Sequence, residues 1–262
     1  MIESDVTAAL LDLPLGGLRF LTSTGSTNDD ALAWAAAGAQ DFSIVVADEQ
    51  TAGRGRSGRK WFTPPGSALA ISVVLRPTSV ERTQPGRITG LGALAMLQSC
   101  TQLGLHAQIK WPNDVLVGGK KVAGILVEAE WAGNRLAASV LGIGVNVGQA
   151  AIPPSTETAF PATSLETESG RQFQQVAVLK DIVTALLAWR SRLGSPDFIR
   201  IWEDNLAFRQ QVVSIGREGE PQLTGKLDGL EPDGSLRLVA NDMPTIVHFG
   251  EIHLRRSDDR IG

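Results

Sequence analysis

Three strand-like runs follow one another in the middle of the chain: Val115–Val117 (VLV), Val122–Glu130 (VAGILVEAE) and Leu136–Val147 (LAASVLGIGVNV). Short segments that contain Gly118-Gly119 and Gly133-Asn134 separate them, and these residues are typical of tight turns. No helical pattern lies between the runs, so we expect them to pair as hairpins. The spacing therefore predicts an antiparallel or mixed sheet rather than a doubly wound parallel one.

Helices and further strands are predicted on both sides of these runs. Upstream, cap residues beginning at Ser26 open a helix whose first turn carries two aspartates and which Gly38 ends. The other upstream elements are strands at Phe42–Ala47 and Ala68–Leu75 and a helix from Pro85 to Leu103. Downstream, Ala150–Gln172 is rich in Pro, Ser, Thr and Glu, which predicts a long surface connection. An amphipathic helix over Leu179–Gly194 and a shorter one over Asp197–Asn205 follow it.

From Gln210 onward the pattern changes to short strands, with a hairpin turn at Asp233-Gly234. The predicted strands are Val212–Ile215, Leu223–Leu227, Leu236–Val239 and Thr245–Phe249. We therefore expect two domains, a mixed α/β (α+β) domain over residues 1–208 and a small β-barrel over residues 209–262.

Composition places the chain among ordinary globular proteins. Its 262 residues include 24 basic and 28 acidic ones, for a net charge of −4. No apolar run approaches the ~18–20 residues of a membrane span, and the N-terminal stretch lacks the basic region of a secretory signal. The default expectation is a cytoplasmic protein without membrane contact. Cys100 is the single cysteine, and the three histidines have no metal-ligand spacing, so neither an intramolecular disulfide nor a zinc site is predicted.

The most distinctive segment is Gly53–Arg59 (GRGRSGR), which leads directly into Lys60-Trp61. Its glycines let the backbone wrap closely around a ligand, because glycine takes positive φ without steric cost. Its arginines are permanent cations with a planar fork that suits carboxylates and phosphates. A local cation cluster on an acidic chain points to a small anionic ligand rather than to a general polyanion surface.

Other interpretations of this segment stay open at this point. The spacing Gly53-x-Gly55-x-x-Gly58 matches the dinucleotide-binding fingerprint, but that motif needs a helix to open directly after the glycines. Here Trp61–Gly66 (WFTPPG) follows, which cannot start a helix. An RNA-binding loop and a solvated turn without a ligand are further alternatives, the former disfavoured by the acidic charge.

Two further clusters carry polar residues in the predicted sheet. In Lys110–Asp114 (KWPND), Asn113 and Asp114 are candidates for hydrogen bonding or for binding Mg²⁺; Lys121 and Gly124 offer a point charge and a close backbone approach. In Gly142–Asn146 (GIGVN), alternating glycines leave room for a flat ligand, and the Asn146 amide could bind an adenine edge. Structural interpretations remain: a rigid Trp-Pro turn, solvated lysines, and a close strand crossing with a satisfied asparagine.

Taken in order, these motifs resemble the biotin protein ligases over nearly the whole chain. The matching segments are Ser26-Thr27-Asn28, Gln50–Trp61, Lys110–Asp114, Lys121–Leu126, Gly142–Asn146 and Gly250–Arg255. The resemblance implies a class II synthetase-like catalytic domain with a largely antiparallel sheet and a C-terminal SH3-like barrel. It also implies that biotin and ATP are joined as biotinyl-5′-adenylate, and that the biotinyl group passes to one lysine of a biotin carboxyl carrier protein domain, such as that of acetyl-CoA carboxylase.

Individual roles follow from the same resemblance. Lys121, Arg54 and Arg56 would be catalytic, with Lys121 between the biotin carboxylate and the α-phosphate and with the Gly/Arg loop closing as a lid that is mobile in the free protein. Asp114 would help to place Mg²⁺. The implied biotin-binding residues are Ser26, Thr27, Asn28, Gln50, Arg54, Gly55, Arg56, Ser72, Lys121 and Gly124. The implied ATP-binding residues are Arg59, Trp61, Lys110, Asn113 and Asn146.

One branch of the family carries an N-terminal DNA-binding domain that represses biotin genes. About 25 residues precede the first predicted cap at Ser26, which is too few for a three-helix DNA reader, so a monofunctional ligase without sequence-specific DNA binding is expected. A homodimer through the central sheet is an implied option. Competing functions are a lipoate ligase or octanoyltransferase, which the Gly/Arg loop and the Lys110–Asp114 motif disfavour, and a non-catalytic biotin-binding regulator, which would not need Lys121.

Overall fold

A computed structural model of the chain describes residues 1–133, 135–154, 160–216, 222–248 and 253–256. Its main feature is a seven-stranded sheet in the order β1-β2-β3-β7-β6-β5-β4. The strands are β1 (Gly17–Thr24), β2 (Ser43–Gln50), β3 (Ala68–Leu75), β4 (Ala107–Lys110), β5 (Asp114–Val117), β6 (Lys120–Ala132) and β7 (Arg135–Asn146). Only β1 and β2 pair in parallel, and the other neighbours in this sheet are antiparallel. The prediction of a mixed, largely antiparallel sheet is confirmed.

Helices cover both faces of this sheet. They are α1 (Glu3–Leu10), α2 (Thr27–Ala36), α3 (Ser79–Thr83), α4 (Gly86–Gln102), α5 (Leu165–Ser169), α6 (Gln175–Ser191) and α7 (Pro196–Asp204). Successive side chains of a strand point to opposite faces of the sheet, so the buried residues form two clusters. On β2, Ile44 and Val46 join the large cluster with α1, α4 and α6, whereas Val45 joins the small cluster under α2. Among the described residues, no helix is both long and apolar enough to cross a membrane.

The prediction for Ala150–Gln172 is wrong in part. This segment contains α5, and Thr163, Ser164 and Leu165 are buried. The reason is a short pairing with the start of β6, in which Lys121 N donates to the Pro161 carbonyl and Thr163 N donates to the Lys121 carbonyl, both at 2.8 Å. Residues 155–159 within the segment, and Asn134 of the predicted β6–β7 turn, lie outside the described residues.

A second, five-stranded sheet follows α7, in the order β11-β10-β9-β8-β12. Its strands are β8 (Val212–Gly216), β9 (Leu223–Leu230), β10 (Leu236–Ala240), β11 (Met243–Val247) and β12 (His253–Arg256). The β9–β10 turn contacts two elements of the preceding part of the chain. The Trp111 indole N–H, between β4 and β5, donates to the Gly234 carbonyl at 3.0 Å, and the Arg87 guanidinium, on α4, donates to the Pro232 carbonyl at 2.7 Å. A small C-terminal sheet is therefore present. The division at residue 208 and the SH3-like barrel remain predictions, and Phe249 and Gly250–Ile252 lie outside the described residues.

Candidate functional site

A cleft of about 820 Å³, counted to its open mouth, lies over the middle of the seven-stranded sheet. The start of α2, the Gly/Arg loop, the β4–β5 turn and the central strands β6 and β7 form its walls. Fourteen of the predicted site residues line it: Ser26, Thr27, Asn28, Gln50, Arg54, Gly55, Arg56, Arg59, Trp61, Lys110, Asn113, Asp114, Lys121 and Gly124. The fold thus brings together motifs that are far apart in the sequence.

One end of the cleft is a network of small uncharged polar groups. The Thr27 backbone N–H and hydroxyl both donate to the Gln50 side-chain carbonyl, at 2.9 and 3.1 Å, and the Gln50 amide nitrogen donates to the Thr63 hydroxyl at 3.1 Å. Ser26 precedes them as the residue before the first turn of α2 and makes no side-chain cap bond there. A neutral ligand group with both donors and acceptors suits this end of the cleft.

Ser72 was predicted to form a wall of the pocket, but it is not among the lining residues. It is fully buried in β3, and its hydroxyl lies 2.8 Å from Thr27 Oγ1 and 2.6 Å from Asn28 Oδ1. Its side chain points toward α2, on the face of the sheet that this helix covers. Ser72 therefore supports the lining residues from behind.

The Gly/Arg loop folds as a small closed hairpin. Trp61 N donates to the Gly53 carbonyl at 2.8 Å and Gly55 N donates to the Arg59 carbonyl at 2.7 Å. Ser57 and Gly58 take positive φ at its tip, 57° and 72°. No α-helix opens between the loop and β3, as predicted from Trp61–Gly66, so the loop lacks the helix N-terminus that the dinucleotide fingerprint needs.

Protein side chains, rather than open space, lie against the glycines of β6 and β7. A Cβ on Gly144 would overlap the Trp61 indole, and one on Gly142 would overlap the Asn28 carboxamide. A Cβ on Gly124 would lie 3.1 Å from the same indole and 3.2 Å from Lys121 Nζ. The space beside Gly124 and Gly144 is therefore occupied by the flat Trp61 ring, and the predicted flat ligand stays a prediction.

The other end of the cleft holds a cluster of charges around one carboxylate. Asp114, 8% exposed, lies between two ammonium groups: Lys121 Nζ is 2.5 Å from its Oδ1 and Lys110 Nζ is 3.6 Å from its Oδ2. Burial alone would raise the pKa of Asp114, but the charges of Lys121, Lys110 and Arg59 outweigh burial and hold it below its usual range. Burial also lowers the pKa of Lys110, and the charge of Asp114 opposes that effect.

Cations outnumber anions at this end of the cleft. Among the described residues that line this end, Arg56, Arg59, Lys110 and Lys121 are basic and Asp114 is acidic. The Arg56 guanidinium donates to the Asn113 side-chain carbonyl at 3.3 Å. Fixed cations in a partly dry cleft stabilise negative charge more strongly than they would in water. The arrangement therefore suits a phosphate or carboxylate ligand beside the neutral polar end.

Comparison with known proteins assigns the chain to a family. The model of the Biotin/lipoate A/B protein ligase family matches residues 19–146. The biotin–[acetyl-CoA-carboxylase] ligase of Paracoccus denitrificans is 35% identical over 83% of this chain and 92% of its own length. The chain belongs to the biotin protein ligase family. The bifunctional ligase/repressor BirA of Bacillus spizizenii is 38% identical to this ligase over 96% of the chain and 78% of its own length.

Solved structures agree with the assignment of this ligase. The biotin protein ligase from Aquifex aeolicus in complex with biotin and ATP superposes with a TM-score of 0.79 and 28% identity, covering 92% of this chain and 99% of that chain. The lipoate alternative is not favoured, because these relatives are named as biotin ligases.

The ligase places Asn146 away from the cleft wall. Asn146 is buried, and its amide nitrogen donates to the Thr163 carbonyl at 2.9 Å. This bond uses one of the two amide N–H groups, and the predicted contact with an adenine edge stays a prediction. Asn113 makes a similar bond, in which its amide nitrogen donates to the Ile125 carbonyl at 2.8 Å.

Asp114 was predicted to help to place Mg²⁺, and this role stays a prediction. Both of its oxygens face ammonium groups, and the described part of the chain contains no group of three His, Cys, Asp or Glu side chains that could hold a metal ion. Mg²⁺ usually keeps several waters and binds through one or two carboxylates together with substrate phosphates, rather than in a cage of protein ligands alone. The geometry makes Asp114 the holder of the two lysines.

Sequence reasoning missed part of the lining. The members without a predicted role are Lys60, Ala70, Ile71, Trp111, Pro112, Ile125, Leu126 and Ile143, whereas Gly142 and Gly144 had been predicted to leave room for a ligand. Most are apolar residues of the central strands that only a known register could have placed there. A further missed residue is Glu128 on β6, which contacts the loop and α2 without lining the cleft.

We expect Gly144→Ala to lower the free energy of unfolding by ~1–3 kcal/mol, because its Cβ would force the Trp61 indole out of its place. Urea unfolding would measure the loss. Gly25→Ala is the matched control, since a Cβ there meets no atom within 4 Å. In a Trp61→Ala background the Gly144→Ala change should cost nothing, because alanine is otherwise the better strand residue. An unchanged cost in that background would contradict the packing described for Trp61.

Proposed function

We propose that this ligase activates biotin with ATP and then transfers the biotinyl group to a protein lysine. In the first step a carboxylate oxygen of biotin attacks the α-phosphorus of ATP. The bond from that phosphorus to the pyrophosphate oxygen breaks, and pyrophosphate leaves with its electron pair. In the second step a carrier lysine amine attacks the acyl carbon of biotinyl-5′-adenylate, AMP leaves, and the amine loses one proton.

The observation that carries this proposal is the polarity of the cleft, neutral at one end and cationic at the other. The ureido ring of biotin offers one carbonyl and two N–H groups, which would join or replace the hydrogen bonds that Thr27 and Gln50 make with each other. Its carboxylate would then reach the cationic end, where Lys121 lies. A shared cleft of this kind holds both reactants in an attacking geometry.

The cationic end addresses the electrostatic obstacle of the first step, in which an anionic carboxylate must approach an anionic phosphate. Lys121, Arg56 and Arg59 would face the charge that develops at the α-phosphate and on pyrophosphate, and the low dielectric of the cleft would strengthen the effect. Asp114 fixes the direction of the Lys121 ammonium group before the substrates arrive. This is why the chemistry needs no serine or cysteine nucleophile from the protein.

The nucleotide would bind along the side of the cleft that carries Trp61, with the indole stacked on adenine and Lys110 beside the phosphates. Magnesium would enter with ATP as part of the substrate, since the residues present do not build a resident site. Asn113 and Asn146 would act through the backbone segments that they hold, Ile125 and Thr163.

The acceptor that we propose is a lysine of a biotin carboxyl carrier protein domain, as in acetyl-CoA carboxylase. The proposal further includes domains at 1–208 and 209–262, an SH3-like arrangement of the C-terminal sheet, a mobile loop in the free protein, a homodimer, and no sequence-specific DNA binding. Incorporation of labelled biotin into an apo carrier domain, with its target lysine replaced by arginine as the control, would test the acceptor.

The first step has a direct test in ATP–pyrophosphate exchange with purified protein. We expect exchange with biotin and none with lipoate or without an acid, because the exchange requires reversible adenylation of the bound carboxylate. Thermal unfolding with the same ligands gives an independent readout, since biotin should raise Tm by mass action. Exchange with lipoate alone would contradict the proposed substrate, and absence of exchange with either acid would contradict adenylation itself.

A further inference from the structure

Glu128 joins two parts of the site without lining the cleft. It lies on β6, and its carboxylate accepts hydrogen bonds from the Arg54 guanidinium, at 3.1 Å on Oε1 and 3.0 Å on Oε2. The same Oε2 accepts from the Asn28 amide nitrogen at 2.7 Å. Arg54 belongs to the Gly/Arg loop and Asn28 to the first turn of α2, so one carboxylate holds both walls of the cleft.

The Asn28 carboxamide is oriented completely by its neighbours. Its nitrogen points to Glu128, its oxygen lies 2.6 Å from the Ser72 hydroxyl, and Gly142 leaves the space that it fills. Asn28 is 4% exposed, whereas the Glu128 side chain is 30% exposed. Without the Glu128 carboxylate, a buried amide N–H₂ would lose its strongest acceptor, which is costly.

Arg54 is held on its other side by Asp29, also on α2. Asp29 is more exposed than Glu128, 58% against 30%, and solvent weakens such pairs. The two carboxylates together fix the guanidinium at the edge of the loop, while the loop itself is closed by backbone bonds at Gly53 and Gly55. A loop anchored at Arg54 cannot lift from the cleft unless these ion pairs break.

We propose that Glu128 is a positioning residue of this ligase, which keeps the Gly/Arg loop closed through Arg54 and sets the direction of the Asn28 carboxamide. This inference rests on the function proposed above. Its consequence is retention of the adenylate: a loop held by Glu128 keeps biotinyl-5′-adenylate in the cleft until a carrier lysine arrives. Release of the loop would let the reactive intermediate escape and acylate lysines at random.

The test compares Glu128→Gln with Glu130→Gln, a change two residues further along the same strand at a side chain for which no hydrogen bond or ion pair is described. In Glu128→Gln we expect escape of the adenylate, measured as biotinylation of serum albumin in the absence of carrier, to rise about tenfold, as for loss of a charged hydrogen bond and an ion pair. The KM for biotin should rise, whereas kcat of exchange should stay within about threefold of wild type, because the cations at the α-phosphate are unchanged. Glu130→Gln should behave as wild type.

Hydrogen exchange of the amides in residues 53–61 tests the closed loop without any catalysis. Exchange should be faster in Glu128→Gln and faster still in Arg54→Gln, which also loses the Asp29 pair. The double variant should match Arg54→Gln, because the Glu128 contact with the loop is already lost there. Added salt should accelerate wild-type exchange and leave the double variant unaffected. If Glu128→Gln fails to fold, the comparison of Arg54→Gln with Asp29→Asn carries the test, because only Arg54→Gln loses the Glu128 contact as well. Equal loop exchange in these two variants would then contradict a role for Glu128.

The inference would be overturned if the folded Glu128→Gln variant released the adenylate, and exchanged the amide hydrogens of the loop, at the wild-type rates. Failure of the proposed function is recognised separately, because wild-type protein would then show no biotin-dependent exchange while the hydrogen-exchange comparison still reports on the loop.

Discussion

Replacing Lys121 by alanine is expected to lower the rate of biotin-dependent ATP–pyrophosphate exchange by about 100- to 1,000-fold, the usual effect of removing one preorganised donor from developing negative charge. Its ammonium group is 2.5 Å from Asp114 and faces the cleft beside the Trp61 ring, 5.3 Å from the ring centroid. No other lysine on β6 reaches the cleft among the described residues. The loss should therefore fall on kcat more than on the KM for biotin.

Lys120→Ala is the matched control for this change. Lys120 is the preceding residue of the same strand, but its ammonium group pairs with Glu168 at 3.0 Å and its side chain is 47% exposed. It is expected to keep wild-type exchange. Lys121→Ala should remain folded, because Asp114 keeps Lys110 as a partner, and thermal unfolding would verify this. Exchange within about threefold of wild type in a folded Lys121→Ala protein would remove Lys121 from the chemistry.

Local patterns were sufficient for elements whose residues form a continuous apolar run or repeat with a clear period. Strand β3 spans the predicted residues Ala68–Leu75, because each of its eight side chains is buried and the run reads as continuously apolar. Strand β1 was missed because Gly17–Thr24 forms the edge of the sheet, where most side chains are partly exposed and the alternation is weak. Strand β4 has only four residues, too few to show any period.

The site was predictable where its functional residues are adjacent in the sequence, as in the Gly/Arg loop and Lys110–Asp114. What could not be predicted depends on the register of β6 against β7. Leu126 pairs with Gly142, and this register brings Glu128 beside Asn28, 100 residues away in the chain. The same limit explains Ser72, since its residue type and strand were correct but its contact with α2 follows only from the packing.

Asp114→Asn is expected to lower the free energy of unfolding by ~3–5 kcal/mol at pH 7, because removal of one partner leaves buried charges uncompensated. The variant keeps the volume of the side chain but loses the charge that faces Lys110 and Lys121. Lys110 is 8% exposed, so its ammonium group would be left in a largely dry environment. Asp12→Asn is the control, since Asp12 pairs with Lys180 at the surface and no measurable change is expected. Urea unfolding of both variants would measure the difference.

The pH dependence of that difference separates a charge effect from a packing effect. The folded-state pKa of Asp114 lies below its ordinary value of 3.8, so its contribution is fully present above that value and is lost as the pH falls through the folded pKa. The gap in unfolding free energy between wild type and Asp114→Asn should therefore close in acid.

The folded-state pKa of Lys110 is lowered by burial, and loss of the Asp114 charge would lower it further. The gap should then also narrow as the pH rises from 7 toward 10, because the variant can release the Lys110 proton. A gap that stays constant across this range would mean that Asp114 acts through packing alone.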